Sequence, residues 1–297
     1  MDITKSGMIA IVGRPNVGKS TLTNALVGEK VAIVTNKPQT TRSRITGVVE
    51  RGECQYVFLD TPGLHRARTK LGDYMVNVVR QSVADVDAVL LLVEPIDHIG
   101  GPEAELIARL KALNVPAVLV INKIDTVEKE QLLSVMQVYG AAHDFAAILP
   151  ISAKNGEGTQ ELLDILAQFL PEGPRLFPED MITDQPERQI CAEIIREKLL
   201  LCLDKEIPHG TAVEITRFHE REDGVVELDA TIYCEKDSHK GIIIGKGGAM
   251  LKKVSSLARS DMERFLDAKV FLQTWVKVKQ NWRDNINLIH NFGYRDE

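Results

Sequence analysis

The chain has 297 residues, of which 44% are hydrophobic, 26% charged and only 5% aromatic, with a formal net charge of −6. That composition is close to globular averages, which excludes a disordered chain, points to an aliphatic core and, at this length, suits one or two domains. No apolar stretch approaches 18 residues, so no membrane-spanning helix is expected, and the polar stretch from Met1 to Gly7 argues against a signal peptide.

The first 170 residues alternate short apolar runs with helical patterns. Strands are predicted over 8–12, 45–50, 56–59, 88–93, 117–121 and 147–151, and helices near 19–27, 70–82, 102–113, 127–140 and 159–169. The run Val89-Leu90-Leu91-Leu92-Val93 is apolar at every position. That suits a parallel strand buried on both faces, and the alternation suits a doubly wound α/β domain. Residues 171–186 hold 4 of the 12 prolines and show no periodicity. They read as a linker between domains 1–170 and 187–297.

Beyond it the order is α-β-β-α-α-β. An amphipathic helix over 187–203 precedes strands over 211–218 and 225–233, joined by a turn at Glu222-Asp223-Gly224. Helices near 238–244 and 249–266 flank a glycine loop at 245–248, and a strand over 270–278 follows. Although the whole chain is acidic, Lys236 to Arg283 carries 11 Lys and Arg against 4 Asp and Glu. This basic island marks a candidate nucleic-acid surface. The four cysteines, at 54, 191, 202 and 234, form no C-x-x-C pair or zinc-site spacing, and are expected as buried reduced thiols of a cytoplasmic protein.

Gly13-Arg14-Pro15-Asn16-Val17-Gly18-Lys19-Ser20, followed by Thr21, fits G-x-x-x-x-G-K-[ST] between a strand and a helix. Glycines let successive N–H groups point at phosphate oxygens, and the helix N-terminus adds positive potential. Lys19 is expected on the β- and γ-phosphates and Ser20 on Mg²⁺. Asp60-Thr61-Pro62-Gly63, at a strand end, offers a carboxylate for Mg²⁺ and the Gly63 N–H for a γ-phosphate. Asn122-Lys123-Ile124-Asp125 follows the 117–121 strand, at the sheet edge where ligands bind in such folds. Asp125 can accept from guanine N1–H and N2–H₂, which adenine cannot match, so the nucleotide is expected to be GTP or GDP. Lys123 can lie over the base and Asn122 can tie this loop to the phosphate loop. A backbone N–H within Ser152-Ala153-Lys154 can meet guanine O6.

These motifs resemble those of translation-factor-type GTPases. Within them Gly13–Ser20, Gln39-Thr40-Thr41-Arg42 and Asp60-Thr61-Pro62-Gly63-Leu64 resemble the Era group. The resemblance implies that one threonine of the Thr40-Thr41 pair, preferably Thr41, reaches Mg²⁺ and the γ-phosphate from a mobile loop over 30–44. Leu64 stands where many GTPases carry a water-orienting glutamine. Slow hydrolysis resting on positioning and electrostatics is therefore expected. The resemblance also implies a K⁺ ion at Asn16. Lys19, Thr41, Gly63 and Asn16 are thus the candidate catalytic set, with His65 a weaker candidate base read here as an exposed loop histidine.

Gly245-Lys246-Gly247-Gly248, between two helices of the basic island, resembles the loop of a type II KH domain, which clamps about four nucleotides. Ile242, Ile243 and Ile244 would floor a groove for bases, and Lys246, Lys252 and Lys253 would meet phosphates. Lys277, Lys279 and Arg283 either extend that surface or form a solvated edge. Trp275 and Trp282 are expected in the core or as a cap rather than as stacking platforms. A GTPase domain joined to a KH domain resembles the Era group, and that resemblance implies a small-subunit assembly factor binding the 3′ end of 16S rRNA in its GTP state. A monomer, located in the cytoplasm with a possible peripheral membrane contact, is expected. The rival readings are a GTPase whose second domain docks on protein or anionic lipid, and a metabolic P-loop kinase.

Overall fold

The computed structural model describes residues 2–64 and 67–294, and its chain divides into two compact units. The first comprises 1–32, 41–66 and 75–184; the second comprises 33–40, 67–74 and 185–297. Two short segments that lie early in the sequence therefore belong to the second unit. The last division between them follows Asp184, inside the 171–186 segment.

In the first unit the strands are β1 (Lys5–Val12), β2 (Ile45–Arg51), β3 (Cys54–Asp60), β4 (Ala88–Val93), β5 (Ala117–Ile121) and β6 (Ala147–Pro150). They form one sheet in the order β2-β3-β1-β4-β5-β6. Only β2 runs antiparallel, paired with β3 through Ile45↔Asp60 to Arg51↔Cys54. The helices are α1 (Lys19–Val27), α2 (Lys70–Ser82), α3 (Gly101–Leu113), α4 (Lys129–Ala142) and α5 (Thr159–Leu166), with α2 crossing the division between the units. Every residue of β4 and β5 is buried because helices cover both faces. One core holds Ile9, Ile11, Leu22, Phe58, Leu90 and Leu162; the other holds Val12, Val79, Leu91, Ile107 and Tyr139.

Residues 171–184 are not a free linker. Gln55, fully buried, accepts from the Leu176 and Phe177 amides at 2.8 and 2.9 Å and donates to the Phe177 carbonyl at 2.9 Å. Arg175 pairs with Glu50 at 2.8 Å, and the Val48 amide donates to Ile182 O. Their partners on β2 and β3 lie more than a hundred residues upstream, which is why local composition suggested a linker.

The second unit adds α6 (Glu187–Cys202), β7 (Ala212–Glu220), β8 (Val226–Cys234), α7 (Asp237–Ile244), α8 (Ala249–Phe265), β9 (Val270–Val278) and α9 (Ile286–Asn291). Its sheet has the order β7-β8-β9, antiparallel then parallel, with a bulge between Ile215 and Arg217. The core gathers Ile194, Ile195, Leu228, Ile232, Val254, Met262 and Val276. Trp282 is fully buried, donates to Gly210 O at 2.9 Å and packs against Phe292 and Tyr294. Tyr74, from the 67–74 segment, lies 6.3 Å from Tyr294 between ring centroids. Trp275 departs from the core expectation, since it is 44% exposed on β9. Of the cysteines, Cys191 and Cys234 are buried while Cys54 and Cys202 are partly exposed, and none is bridged. Among the described residues no helix is long and apolar enough to cross a membrane.

Candidate functional site

Parallel strands of a right-handed α/β sheet all present their carboxyl ends at one edge, so loops distant in sequence meet there. Residues 13–18 leave β1, 61–64 leave β3, Glu94 leaves β4, 122–125 leave β5 and 151–154 leave β6. The 13–18 loop turns into α1 at Gly18, with φ of 100°. A Cβ there would stand 2.2 Å from Asn122 Nδ2, so only glycine permits both the turn and this approach. Lys19 folds back to donate to Gly13 O at 3.1 Å and Arg14 O at 3.0 Å. Gly63 abuts Pro15 so closely that a Cβ would lie 2.6 Å from the proline backbone, and the Leu64 amide donates to Gly13 O at 3.1 Å.

Three oxygens meet at the start of α1. Ser20 Oγ lies 2.6 Å from Asp60 Oδ2 and 2.8 Å from Thr41 Oγ1. Asp60 Oδ1 is buried without a hydrogen-bond partner among the described residues. Burial pushes Asp60 up to about 6, against the pull of Lys19 and Ser20, and pushes Lys19 down to about 8, against Asp60. A carboxylate with an unsatisfied oxygen beside two hydroxyls is a hard-oxygen donor set, which fits Mg²⁺. The enclosed ammonium fits phosphate oxygens. Of the threonine pair, Thr41 faces Ser20, whereas Thr40 Oγ1 bonds Lys37 O and Thr35 Oγ1, both at 2.7 Å.

The base-side loops are equally tied. Asn122 donates to Val17 O at 2.8 Å and accepts from the Ala153 amide at 2.9 Å. Asp125 accepts from Ser152 Oγ at 2.7 Å, which fixes one carboxylate oxygen and turns the other outward. Lys123, at φ 65°, reaches Asn16 O at 2.7 Å and Glu94 at 2.6 Å.

Several expectations change. Thr61 is fully buried and its hydroxyl donates to Ile11 O at 2.8 Å, so its side chain serves the sheet. The Val17 side chain lies in the core, leaving only its backbone at the loop. Arg14 pairs with Glu94 and, at 3.3 Å, with Glu103. Those two acids are residues that the motifs do not reveal. Each stands alone in sequence, and only the fold brings them to Arg14 and Lys123. Leu64 is buried, and His65 lies outside the described residues.

In the second unit, 246–248 form a short 3₁₀ turn between α7 and α8. Gly245 has φ of 73°, and a Cβ would lie 2.7 Å from that of Met250. Lys246, Lys252 and Lys253 are exposed or partly so, and Ile242 is 49% exposed. Ile243 is fully buried in the core and cannot line a groove, while Ile244 packs partly against the core. On a helix, three consecutive residues spread over most of the circumference, so they cannot share one face. Arg283 is held by Glu235 at 2.5 Å, whereas Lys277 and Lys279 are exposed.

Residues 8–123 match the family model described as 50S ribosome-binding GTPase, and residues 206–283 match that of the KH domain. The chain is 52% identical to the GTPase Era of Ruminiclostridium cellulolyticum over 291 residues, covering 98% of both chains. It belongs to the Era family of GTPases. The Era of Clostridium kluyveri is 50% identical, with 98% of this chain and 99% of that one covered. Two solved Era structures, each 38% identical, superpose over 98–99% of this chain and the whole of theirs. One, an Aquifex aeolicus Era variant bound to GDP and AlF₄⁻, gives a TM-score of 0.94. The other, bound to MgGDPNP and nucleotides 1506–1542 of 16S ribosomal RNA, gives 0.95. The chain is thus an Era GTPase with a P-loop GTPase domain followed by a KH domain, and its activity is GTP hydrolysis. The kinase reading falls with this assignment.

Proposed function

We propose that this Era GTPase is a guanine-nucleotide switch whose KH domain binds the 3′ end of small-subunit ribosomal RNA in the GTP state. It would release that RNA after hydrolysis, as a cytoplasmic assembly factor. The observation that carries the switch is the meeting of Ser20, Thr41 and Asp60, because Thr41 is the one member supplied by a loop outside the sheet. Ser20, Thr41 and Asp60 would hold Mg²⁺, and Lys19 with the amides of 13–18 would hold the phosphates. When bound, Mg²⁺ neutralises charge on the phosphate oxygens. Gly63 N–H would meet the γ-phosphate. Asp125, oriented by Ser152, would read guanine N1–H and N2–H₂. With the Ala153 amide engaged by Asn122, the donor to O6 would be Lys154 N–H.

A buried leucine at 64 cannot orient water, so hydrolysis would rest on positioning and electrostatics. A K⁺ ion at Asn16 would add the missing positive charge. Equal hydrolysis rates in Na⁺ and K⁺ buffers would remove that ion from the reading.

On the RNA side, Gly245–Gly248 would admit the RNA backbone, with Lys246, Lys252 and Lys253 on phosphates and Ile242 against bases. The RNA bound by the relative with MgGDPNP supports the 16S 3′ end as target. The test is equilibrium binding of that RNA with a non-hydrolysable GTP analogue and with GDP, across salt concentrations. Tighter, salt-sensitive binding with the analogue, lost in Lys246→Glu, is expected. Equal binding in both states would refute the switch. Association with anionic vesicles in place of RNA would favour a peripheral membrane role.

A further inference from the structure

Charged side chains are almost never buried unless paired, yet α6 buries three in succession. Arg196 is fully buried, with Glu197 and Lys198 nearly so, and Ile194 to Leu200 are all buried. Seven consecutive residues complete almost two turns, so this stretch is enclosed all round rather than amphipathic. Ile194, Ile195 and Leu199 lie in the core of the second unit. What meets Arg196 and Glu197 is segment 33–40 of the same unit.

Arg196 donates to Thr40 O through Nη2 and to Gln39 O through Nη1 at 3.5 Å, while Glu193 holds the guanidinium through Nε at 2.8 Å. Glu197 accepts the Val34 amide at 3.0 Å and is steadied by Lys198 at 2.7 Å, itself paired with Asp261 at 2.5 Å. At the end of α6, Lys37 donates to Leu203 O. The segment is thus held at 34, 37, 39 and 40. Gln39 adopts φ of 58°, a left-handed conformation that costs a non-glycine residue about 1 kcal/mol or more and persists only where partners fix it. One residue beyond Thr40 stands Thr41, 2.8 Å from Ser20.

We propose that Arg196, seated between Glu193 and the 39–40 carbonyls and assisted by Glu197 and Lys37, is a positioning residue for the GTP state. It holds the 33–40 segment in the arrangement that presents Thr41 to Ser20 and Asp60. The proposal rests on the reading of Thr41 as a Mg²⁺ and γ-phosphate ligand. Releasing the loop lowers the fraction of molecules with Thr41 in place, and the apparent affinity for a GTP analogue falls by that fraction. GDP, which has no γ-phosphate, is unaffected.

The test uses the full chain, Mg²⁺, labelled GDP and a non-hydrolysable GTP analogue. Arg196→Lys keeps the buried charge beside Glu193 but removes the fork that spans both carbonyls. Lys37→Met removes an outer anchor without opening a buried ion pair. Expected for Arg196→Lys is a loss of analogue affinity of about tenfold with GDP affinity unchanged. For Lys37→Met the same pattern at about threefold is expected. Amides of 33–40 should exchange faster in the analogue-bound variants than in the parent. Thr41→Ala serves as the reference. If it loses analogue affinity while both anchor variants retain it, the proposal is overturned and the Thr41 reading stands. If Thr41→Ala also retains it, the Thr41 reading is wrong and the proposal falls with it. A parallel loss of GDP and analogue affinity would also overturn it.

Discussion

Replacing Asp125 by asparagine reverses one hydrogen-bonding polarity at the base site and leaves the volume almost unchanged. Asp125 Oδ1 is occupied by the Ser152 hydroxyl at 2.7 Å, so the other oxygen carries the acceptor capacity that the proposed reading assigns to the base. Ser152, fully buried, keeps the side chain from rotating to offer a different pair. In the Asp125→Asn variant the Ser152 hydroxyl still claims the side-chain carbonyl oxygen, and the NH₂ group faces guanine N1–H and N2–H₂. Two charge-assisted bonds worth about 1.5–3 kcal/mol each are then lost and replaced by opposed donors. GTP affinity should fall on the order of 10²- to 10⁴-fold. Xanthosine triphosphate carries an oxygen in place of the 2-amino group, so its affinity should rise by about tenfold or more. Competition against labelled GDP, run with both nucleotides and with a thermal melt to verify folding, reads both changes. A GTP affinity within about threefold of the parent, or a parallel fall for both nucleotides, would refute the assignment of base recognition to Asp125. Ser152→Ala should cost about 1 kcal/mol of GTP affinity, roughly fivefold, without any gain for xanthosine triphosphate.

Glu94→Gln, which weakens the bridge between Arg14 and Lys123, should lower GDP and GTP affinity equally by about fivefold, measured by the same competition; an unchanged affinity would show that the bridge does not hold the base-side loop. If Thr41 is a Mg²⁺ and γ-phosphate ligand as proposed, chelating Mg²⁺ should weaken the GTP analogue more than GDP, by about tenfold or more; equal weakening would remove Thr41 from the metal site. Gly245→Ala should cost about 1–3 kcal/mol at the strained position and abolish RNA binding while GTP hydrolysis persists, as read by RNA titration beside a turnover assay; retained RNA affinity would count against a close backbone approach there. Trp282→Ala should destabilise the second domain by about 3–5 kcal/mol, seen as a shifted denaturant midpoint, since it empties a buried site and strands the Gly210 carbonyl.

The loops that meet at the carboxyl edge of the sheet were legible in the sequence because each is a local motif. Gly13–Ser20, Asp60–Gly63, Asn122–Asp125 and Ser152–Lys154 each stand at or just after a strand end, and the strand–loop–helix order alone brings those ends to one edge. The KH loop was legible for the same reason, since Gly245 to Gly248 lie between two patterned helices. The sheet itself followed from apolar runs such as Ala88 to Val93.

Only the tertiary structure set Thr41 beside Ser20, sent Ile243 to the core, left Trp275 on the surface and laid 171–184 along β2 and β3. It alone paired Arg14 with Glu94 and Arg196 with residues 39–40, across 80 and more than 150 positions. The physical reason is shared by all of them. A residue type and its spacing determine what a side chain can do and which face of its own element it occupies, but a buried charge or a loop carbonyl takes its meaning from a partner. Where that partner lies far along the chain, the closing of the fold decides it.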